Sequence, residues 1–279
     1  MYMLMKPTLI KIFSENDQYQ NIETLQRNRT KRSRAGEFIV EGVRSINQAL
    51  HYHWKLNALI YSRDWRLSDW AEGVITGSGA PDHYLLTLPL MQKLSQKDDT
   101  SELLAIAAKP GDDLARIPVK PDLLVVMLDR PSSPGNLGTL IRSCDALGVD
   151  GVILTGHAVD LYDPETIRAT TGSFFSLPIV RLPSSQELAL WFAGLKPRLP
   201  RFQVVGTSAK AEIPIQDFDF CNPTVLLVGS ETRGLSEALR GMADAMVTIP
   251  MGGSASSLNV ACATSILLYE VSRQRSNPR

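Results

Sequence analysis

Three short stretches in the C-terminal half gather residues able to hold and activate a polar substrate. Residues 129–148, DRPSSPGNLGTLIRSCDALG, carry Asn136 and Arg142. Residues 228–236, VGSETRGLS, set Glu231 among glycines, and residues 249–260, IPMGGSASSLNV, bring Ser257 and Asn259 just after a Gly252–Gly253 pair. An arginine fork can grip a phosphate or stabilise a developing oxyanion. Asparagine, glutamate and serine can orient it, and a glycine-rich loop before a helix lets backbone donors approach a ligand. Each residue also has a plain structural reading. Asn136 falls at the expected N-cap of a helix, Arg142 reads as an exposed arginine, and Glu231 suits the dipole of a helix starting near Ser236. Ser256 or Ser257 would cap a final helix entered near Ser257. No G-x-G-x-x-G occurs, so no dinucleotide fingerprint is supported. Cys144, Cys221 and Cys262 share no metal-ligand spacing with His51, His53, His83 or His157, so no metal site is expected.

These stretches follow buried-looking strands. Apolar runs at 123–128, 152–154, 202–205, 225–228 and 246–249 alternate with helical patterns at 137–147, 186–192 and 236–245. That alternation predicts a parallel sheet covered on both faces, with ligands at the carboxyl ends of its strands. Leu137, Leu140, Ile141, Cys144 and Leu147 form an apolar helix stripe ended by Gly148, and Arg142 projects away from it. Leu258, Ala261, Cys262, Ser265, Leu268 and Tyr269 fall at helical spacing that suits one packed face. Upstream, strands at 38–40, 56–61, 83–87 and 103–108 with helices at 43–50 and 91–94 predict a smaller α/β domain. The proline-rich stretch that begins at Lys109 reads as a linker, giving domains 1–109 and 122–279 joined by 110–121. Residues 27–34, RNRTKRSR, hold five cations, Arg27, Arg29, Lys31, Arg32 and Arg34. They read equally as a solvated charge run and as an RNA-phosphate contact.

Composition sets the outer bounds. With 279 residues, 44% hydrophobic, the chain can bury a sizeable core. A net charge of zero means that any nucleic-acid partner must be held by local patches. The odd number of widely spaced cysteines, read as lying in apolar contexts, suits a reducing compartment. No apolar run approaches the ~20 residues that span a bilayer, and the opening MYMLMKPTLIKIF lacks a cleavage site. A cytoplasmic location without membrane contact is expected.

In order and spacing, NLGTLIRSCDALG, VLLVGSETRGLS and IPMGGSASSLNVACATSILLYE resemble the three motifs of the SpoU (TrmH-like) family of RNA ribose 2′-O-methyltransferases, within the SPOUT superfamily. The likeness runs from Asp122 to the C-terminus. EFIVEG, residues 37–42, resembles the start of the substrate-binding α/β domain carried by rRNA-modifying members. The resemblance implies a parallel-sheet α/β domain tied in a deep trefoil knot. It implies S-adenosylmethionine as cofactor, held by Gly229, Ile249 and Leu258 with Thr207 and Met251 as further contacts. It also implies a homodimer with its active site at the subunit interface, where Arg142 acts with Asn136, Glu231, Ser257 and Asn259. The substrate implied is RNA, ribosomal in preference to transfer RNA, and no metal is called for. A tRNA 2′-O-methyltransferase and a non-catalytic RNA-binding protein of the same fold are the alternatives. Two positions depart from the family pattern: Thr232 replaces a glycine of the second motif, and Ala261 a serine of the third.

Overall fold

Short aliphatic runs, each closed by a turn or a capped helix, build two sheets in separate units. The computed structural model describes residues 6–95 and 99–277, so residues 1–5 of the expected leading segment lie outside the described residues. Met1–Pro110 with Tyr162–Phe175 form one unit, and Gly111–Leu161 with Ser176–Arg279 form the other.

The first unit contains, in order, β1 (Thr8–Ile12), α1 (Asp17–Arg27), α2 (Arg29–Ala35), β2 (Glu37–Glu41), α3 (Val43–His51), β3 (Leu56–Tyr61), α4 (Asp69–Gly77), β4 (Asp82–Leu86), α5 (Leu88–Leu94) and β5 (Leu103–Ala108). The sheet order is β1-β4-β3-β5-β2. β1, β4 and β3 run parallel, and β5 is antiparallel to both β3 and β2. The basic run lies in this unit and is ordered. Asn28 accepts from the Lys31 amide at 3.0 Å and caps α2. Arg32 is 2% exposed. Its guanidinium donates to the carbonyls of Leu25 at 2.9 Å and Gln26 at 2.7 Å, closing the α1–α2 corner. Arg32 is therefore corrected from a phosphate ligand to a structural residue, because its donors are spent on orphan carbonyls at a helix end. Arg27, Arg29, Lys31 and Arg34 stay exposed.

The second unit opens with β6 (Leu124–Asp129), α6 (Pro134–Ala146) and β7 (Gly151–Thr155). The next segment holds α7 (Pro164–Ala169) and belongs to the first unit. After it come β8 (Ile179–Leu182), α8 (Ser185–Leu195), β9 (Gln203–Thr207), β10 (Ile213–Pro214), β11 (Thr224–Val228), α9 (Glu237–Arg240), β12 (Ala245–Thr248) and α10 (Val260–Ser276). The order is β10-β12-β9-β11-β6-β7-β8, with parallel pairing at every step. Such a sheet must be shielded on both faces, which is why β6, β7 and β11 are buried along their whole length. Residues 111–121 pack here as well. Ile117 is 2% exposed, and a Cβ on Gly151 would stand 2.8 Å from its side chain. The stretch read as a linker is thus grouped from Gly111 onward with this unit.

Three local expectations change. Ser133, not Asn136, caps α6, accepting from the Asn136 amide at 3.3 Å. Asn259, not Ser256 or Ser257, caps α10, with its Oδ1 accepting from Ala261 at 2.9 Å and Cys262 at 3.3 Å. The buried face of α10 is Ala261, Thr264, Leu267, Leu268 and Val271, while Cys262 and Tyr269 are exposed and Leu258 precedes the helix.

Candidate functional site

The carboxyl ends of β6, β11, β9 and β12 are adjacent, so the loops that leave them share one neighbourhood. The β6 loop leads to α6, the β11 loop carries Glu231, and the β12 loop crosses to α10. Side chains of the three motifs meet there in a single hydrogen-bonded chain. Asn259 donates from Nδ2 to Asn136 Oδ1 at 3.1 Å, and Asn136 donates from Nδ2 to Glu231 Oε1. Ser132 donates to the other carboxylate oxygen of Glu231 at 3.0 Å. Each link dictates the next. The α10 amides fix which end of the Asn259 amide accepts, which sends its NH2 to Asn136. That in turn leaves the Asn136 NH2 for Glu231.

The loop bearing Glu231 is braced from below. Ser230 and Gly234 exchange backbone hydrogen bonds at 3.2 and 2.9 Å across a tight turn. Asp129, 4% exposed, accepts from the Ser236 amide at 2.7 Å and pairs with Arg130 at 2.9 Å. Arg130 reaches on to the Gly234 carbonyl at 3.3 Å, from a left-handed backbone with φ 55°. Gly229 cannot carry a side chain, since a Cβ there would stand 2.2 Å from the Gly234 carbonyl carbon and 2.3 Å from the Leu235 nitrogen. Both are backbone atoms that have no way to yield.

Beside this turn lies a cavity of about 640 Å³ whose lining includes Thr207, Gly229, Ile249, Met251 and Leu258. All five residues expected to hold a cofactor therefore face one space, together with Glu231 and Ser257. Its size falls within the ~300–1,000 Å³ typical of small-molecule sites, and its lining mixes aliphatic side chains with polar backbone, as an adenosyl group requires. The residues present fit such a group. Thr207 contributes shape, since its hydroxyl already donates to the Leu227 carbonyl at 3.0 Å. A second space of about 10 Å³, room for one water, lies between Ser132, Asn136, Glu231 and Val260.

Other candidates stand apart. Arg142 is exposed on α6 and lines neither cavity. Cys144 on the same helix is fully buried, and burial pushes its thiol well above the usual range, so it offers no thiolate. Cys221 and Cys262 are exposed, against the expectation of apolar surroundings. Among the described residues no group of three or more His, Cys, Asp or Glu is placed to hold a metal, and no helix is long and apolar enough to cross a membrane. Sequence reasoning passed over Ser132, Asp129 and Arg130. The available signal was their position at the carboxyl end of a buried strand, just ahead of a helix.

Known proteins match along the chain. The SpoU rRNA Methylase family model covers residues 123–269, and the SpoU L30e-like domain model covers 16–105. A 23S rRNA (uridine(2479)-2′-O)-methyltransferase of Streptomyces viridochromogenes is 44% identical over 274 residues, covering 98% of this chain and 95% of that protein. A 23S rRNA (guanosine(2553)-2′-O)-methyltransferase of Bacillus subtilis is 29% identical over 262 residues, covering 92% and 98%. Among solved structures, the S. viridochromogenes SpoU methyltransferase AviRb in complex with the cofactor AdoMet superposes with a TM-score of 0.89 at 45% identity, covering 95% of this chain and 100% of that one.

Proposed function

This chain belongs to the SpoU rRNA Methylase family, and we propose that it transfers a methyl group from S-adenosylmethionine to a ribose 2′-hydroxyl of 23S ribosomal RNA. The observation that carries this reading is the convergence of Thr207, Gly229, Ile249, Met251 and Leu258 on one cavity, with Glu231 at its edge tied to Asn136 and Asn259.

When bound, S-adenosylmethionine supplies an electrophilic methyl on a sulfonium. The protein's own tasks are to align the 2′-oxygen and to ease loss of its proton as the O–CH3 bond forms. Gly229 keeps the turn close to the cavity, while Ile249, Met251 and Leu258 give apolar walls that exclude water. Asn136 and Ser132 hold the Glu231 carboxylate in one orientation, which leaves its free lone pairs able to receive ribose hydroxyls. Alignment alone is worth several kcal/mol by the effective-molarity scale, roughly 7 at its usual lower limit. Arg142 stabilises the developing alkoxide and grips the neighbouring phosphate, because a guanidinium is a poor base but a strong electrostatic partner. Arg142 lines neither cavity of its own chain, so this reading supplies it from a second copy and takes the working unit to be a homodimer. Exposed Ile266 and Tyr269 on α10 offer apolar surface for that contact. The loop from β12 to α10 is read as the threaded segment of a trefoil knot, and the enzyme is placed in the cytoplasm with its rRNA.

The direct test incubates the protein with unmodified 23S rRNA transcript and methyl-labelled cofactor, then maps the label. Incorporation at one ribose 2′-oxygen is expected. Label on a base, or on transfer RNA alone, would remove the reading.

A further inference from the structure

Three cations on the cofactor cavity have no role in the chemistry above. Lys210 follows β9, Arg233 sits in the turn after β11, and Arg240 ends α9; all three line the cavity and all three are exposed, so they stand at its rim. Their side chains make no hydrogen bond or ion pair among the described residues. Arg233 is nonetheless held in place, since its amide donates to Ser230 Oγ at 3.3 Å inside the braced turn.

Charge balance shows what they lack. The carboxylates nearby in sequence, Glu212 and Glu237, do not line the cavity, and among the described residues Glu231 is its one acidic lining residue. Glu231 already accepts from Ser132 and Asn136. The cofactor does not supply the missing anion. Its sulfonium and ammonium outweigh its single carboxylate, which can answer one of the three cations at most. Like charges gathered without counter-charge repel, by about 1 kcal/mol per pair at ~4 Å in water and less at longer range. A rim of this kind is stable when solvated and becomes useful when a polyanion arrives. A ribose presented at the cavity mouth necessarily brings the phosphodiesters on either side of it.

We propose that Lys210, Arg233 and Arg240 form a phosphate-binding rim that grips the RNA backbone flanking the methylated ribose. This rests on the reading of the chain as an rRNA methyltransferase. The three cations come from three separate places in the chain, the segment after β9, the turn after β11 and the end of α9, so the strand is held by its backbone while the target sugar turns inward. Phosphate contacts of this sort set register and orientation without reading bases.

The test uses the full chain, S-adenosylmethionine and unmodified 23S rRNA transcript. Lys210, Arg233 and Arg240 are changed to Gln singly and together, with Arg233→Lys and Arg240→Lys as charge-keeping controls. Binding to the transcript is measured between about 50 and 200 mM salt, where each lost contact removes ~0.7–0.9 from the slope of log K against log[salt]. The triple variant should lose about two units of slope and bind RNA tenfold or more weakly at ~100 mM salt, with cofactor affinity within about twofold of wild type. The lysine controls should keep the wild-type slope. An unchanged slope in the triple variant overturns the proposal. So does a tenfold loss of cofactor affinity with RNA binding intact, which would assign the rim to the cofactor carboxylate. Wild-type protein that binds cofactor but neither binds nor methylates 23S rRNA would instead overturn the functional reading beneath it.

Discussion

Asn259 performs two tasks with two atoms: its Oδ1 caps α10 and its Nδ2 holds Asn136. Substitutions can separate them. Asn259→Ser keeps an oxygen able to cap but is too short to reach Asn136, so stability should stay within ~0.5 kcal/mol of wild type while methyl transfer falls roughly tenfold to a hundredfold. Asn259→Ala should lose the cap as well, costing about 1 kcal/mol in urea denaturation. Equal activity in the serine variant would show that the Asn259–Asn136 link does no positioning. Leu258 gives a clean probe of the cofactor wall. It lines the cavity, is 39% exposed and precedes the helix, so Leu258→Ser should spare folding. Calorimetry should show S-adenosylmethionine binding weakened about tenfold, the scale expected for part of a leucine's apolar surface. A bulky residue at Gly229 gives no such clean probe, because even a Cβ collides with the Gly234 backbone. The residue types of the site were readable in order along the chain. Their partnerships were not, since Ser133 and Ser257 are as good a cap by type as Asn136 and Asn259, and only the register of α6 and α10 decides between them.

The α1–α2 corner turns one basic run into two kinds of residue. Changing exposed Arg27, Arg29, Lys31 and Arg34 together to Gln should leave stability intact. It should lower the salt slope of rRNA binding by roughly 0.7–0.9 per cation engaged, and Arg27, which pairs with Glu23 at 3.1 Å, is a weaker candidate than Lys31 or Arg34. Arg32→Met should do the reverse, losing about 3 kcal/mol of stability through orphaned carbonyls and an unpaired Asp163, with the slope unchanged. Strands β3 and β4 carry a titratable pair. Tyr61 Oη lies 3.1 Å from His83 Nδ1, and burial lowers the histidine's pKa below its usual 6.5. The unfolded chain therefore binds the proton more readily. The stability owed to neutral His83 is full above pH ~6.5 and drains away as pH falls through the lower folded-state value. Thermal melts at falling pH should show a steeper loss for wild type than for His83→Gln, and parallel curves would contradict that linkage. Core strands such as β5 and β11 were readable because burial on both faces demands unbroken aliphatic runs. β1 and the helices α1 and α2 were not. β1 is a largely exposed edge strand whose identity comes from pairing with β4, and α2 is made of polar residues held by a cap and by Arg32.

At the scale of the whole molecule the question is where Arg142 works. The residues tied to Glu231 and those lining the cavity belong to one chain, while Arg142 faces outward from α6 and lines neither cavity. α6 packs on α10, with Ser265 donating to Ser143 at 2.8 Å, and Arg142 on α6 and Ile266 and Tyr269 on α10 are all exposed. The proposed homodimer requires a two-fold contact that carries the Arg142 of each copy to the other's cavity. Arg142→Ala should leave folding and cofactor binding nearly intact, a surface change moving stability by under ~0.5 kcal/mol, and should lower single-turnover methyl transfer at least ~100-fold. Arg142→Lys should stay severely impaired, since charge survives but the planar fork does not. Neither variant alone tells whether the arginine acts within its own chain or across an interface. A mixed dimer does. Arg142→Ala and Glu231→Ala chains, co-expressed with different affinity tags and purified through both, place the two changes in one heterodimer. If Arg142 serves its own chain's cavity, each of the two sites contains one lesion and activity stays at the level of the parents. If it serves the other copy's cavity, one site collects both lesions and the other collects none, restoring about half of wild-type activity. Recovery to that level is expected, and a heterodimer as inactive as its parents would place Arg142 back in its own subunit or outside the reaction.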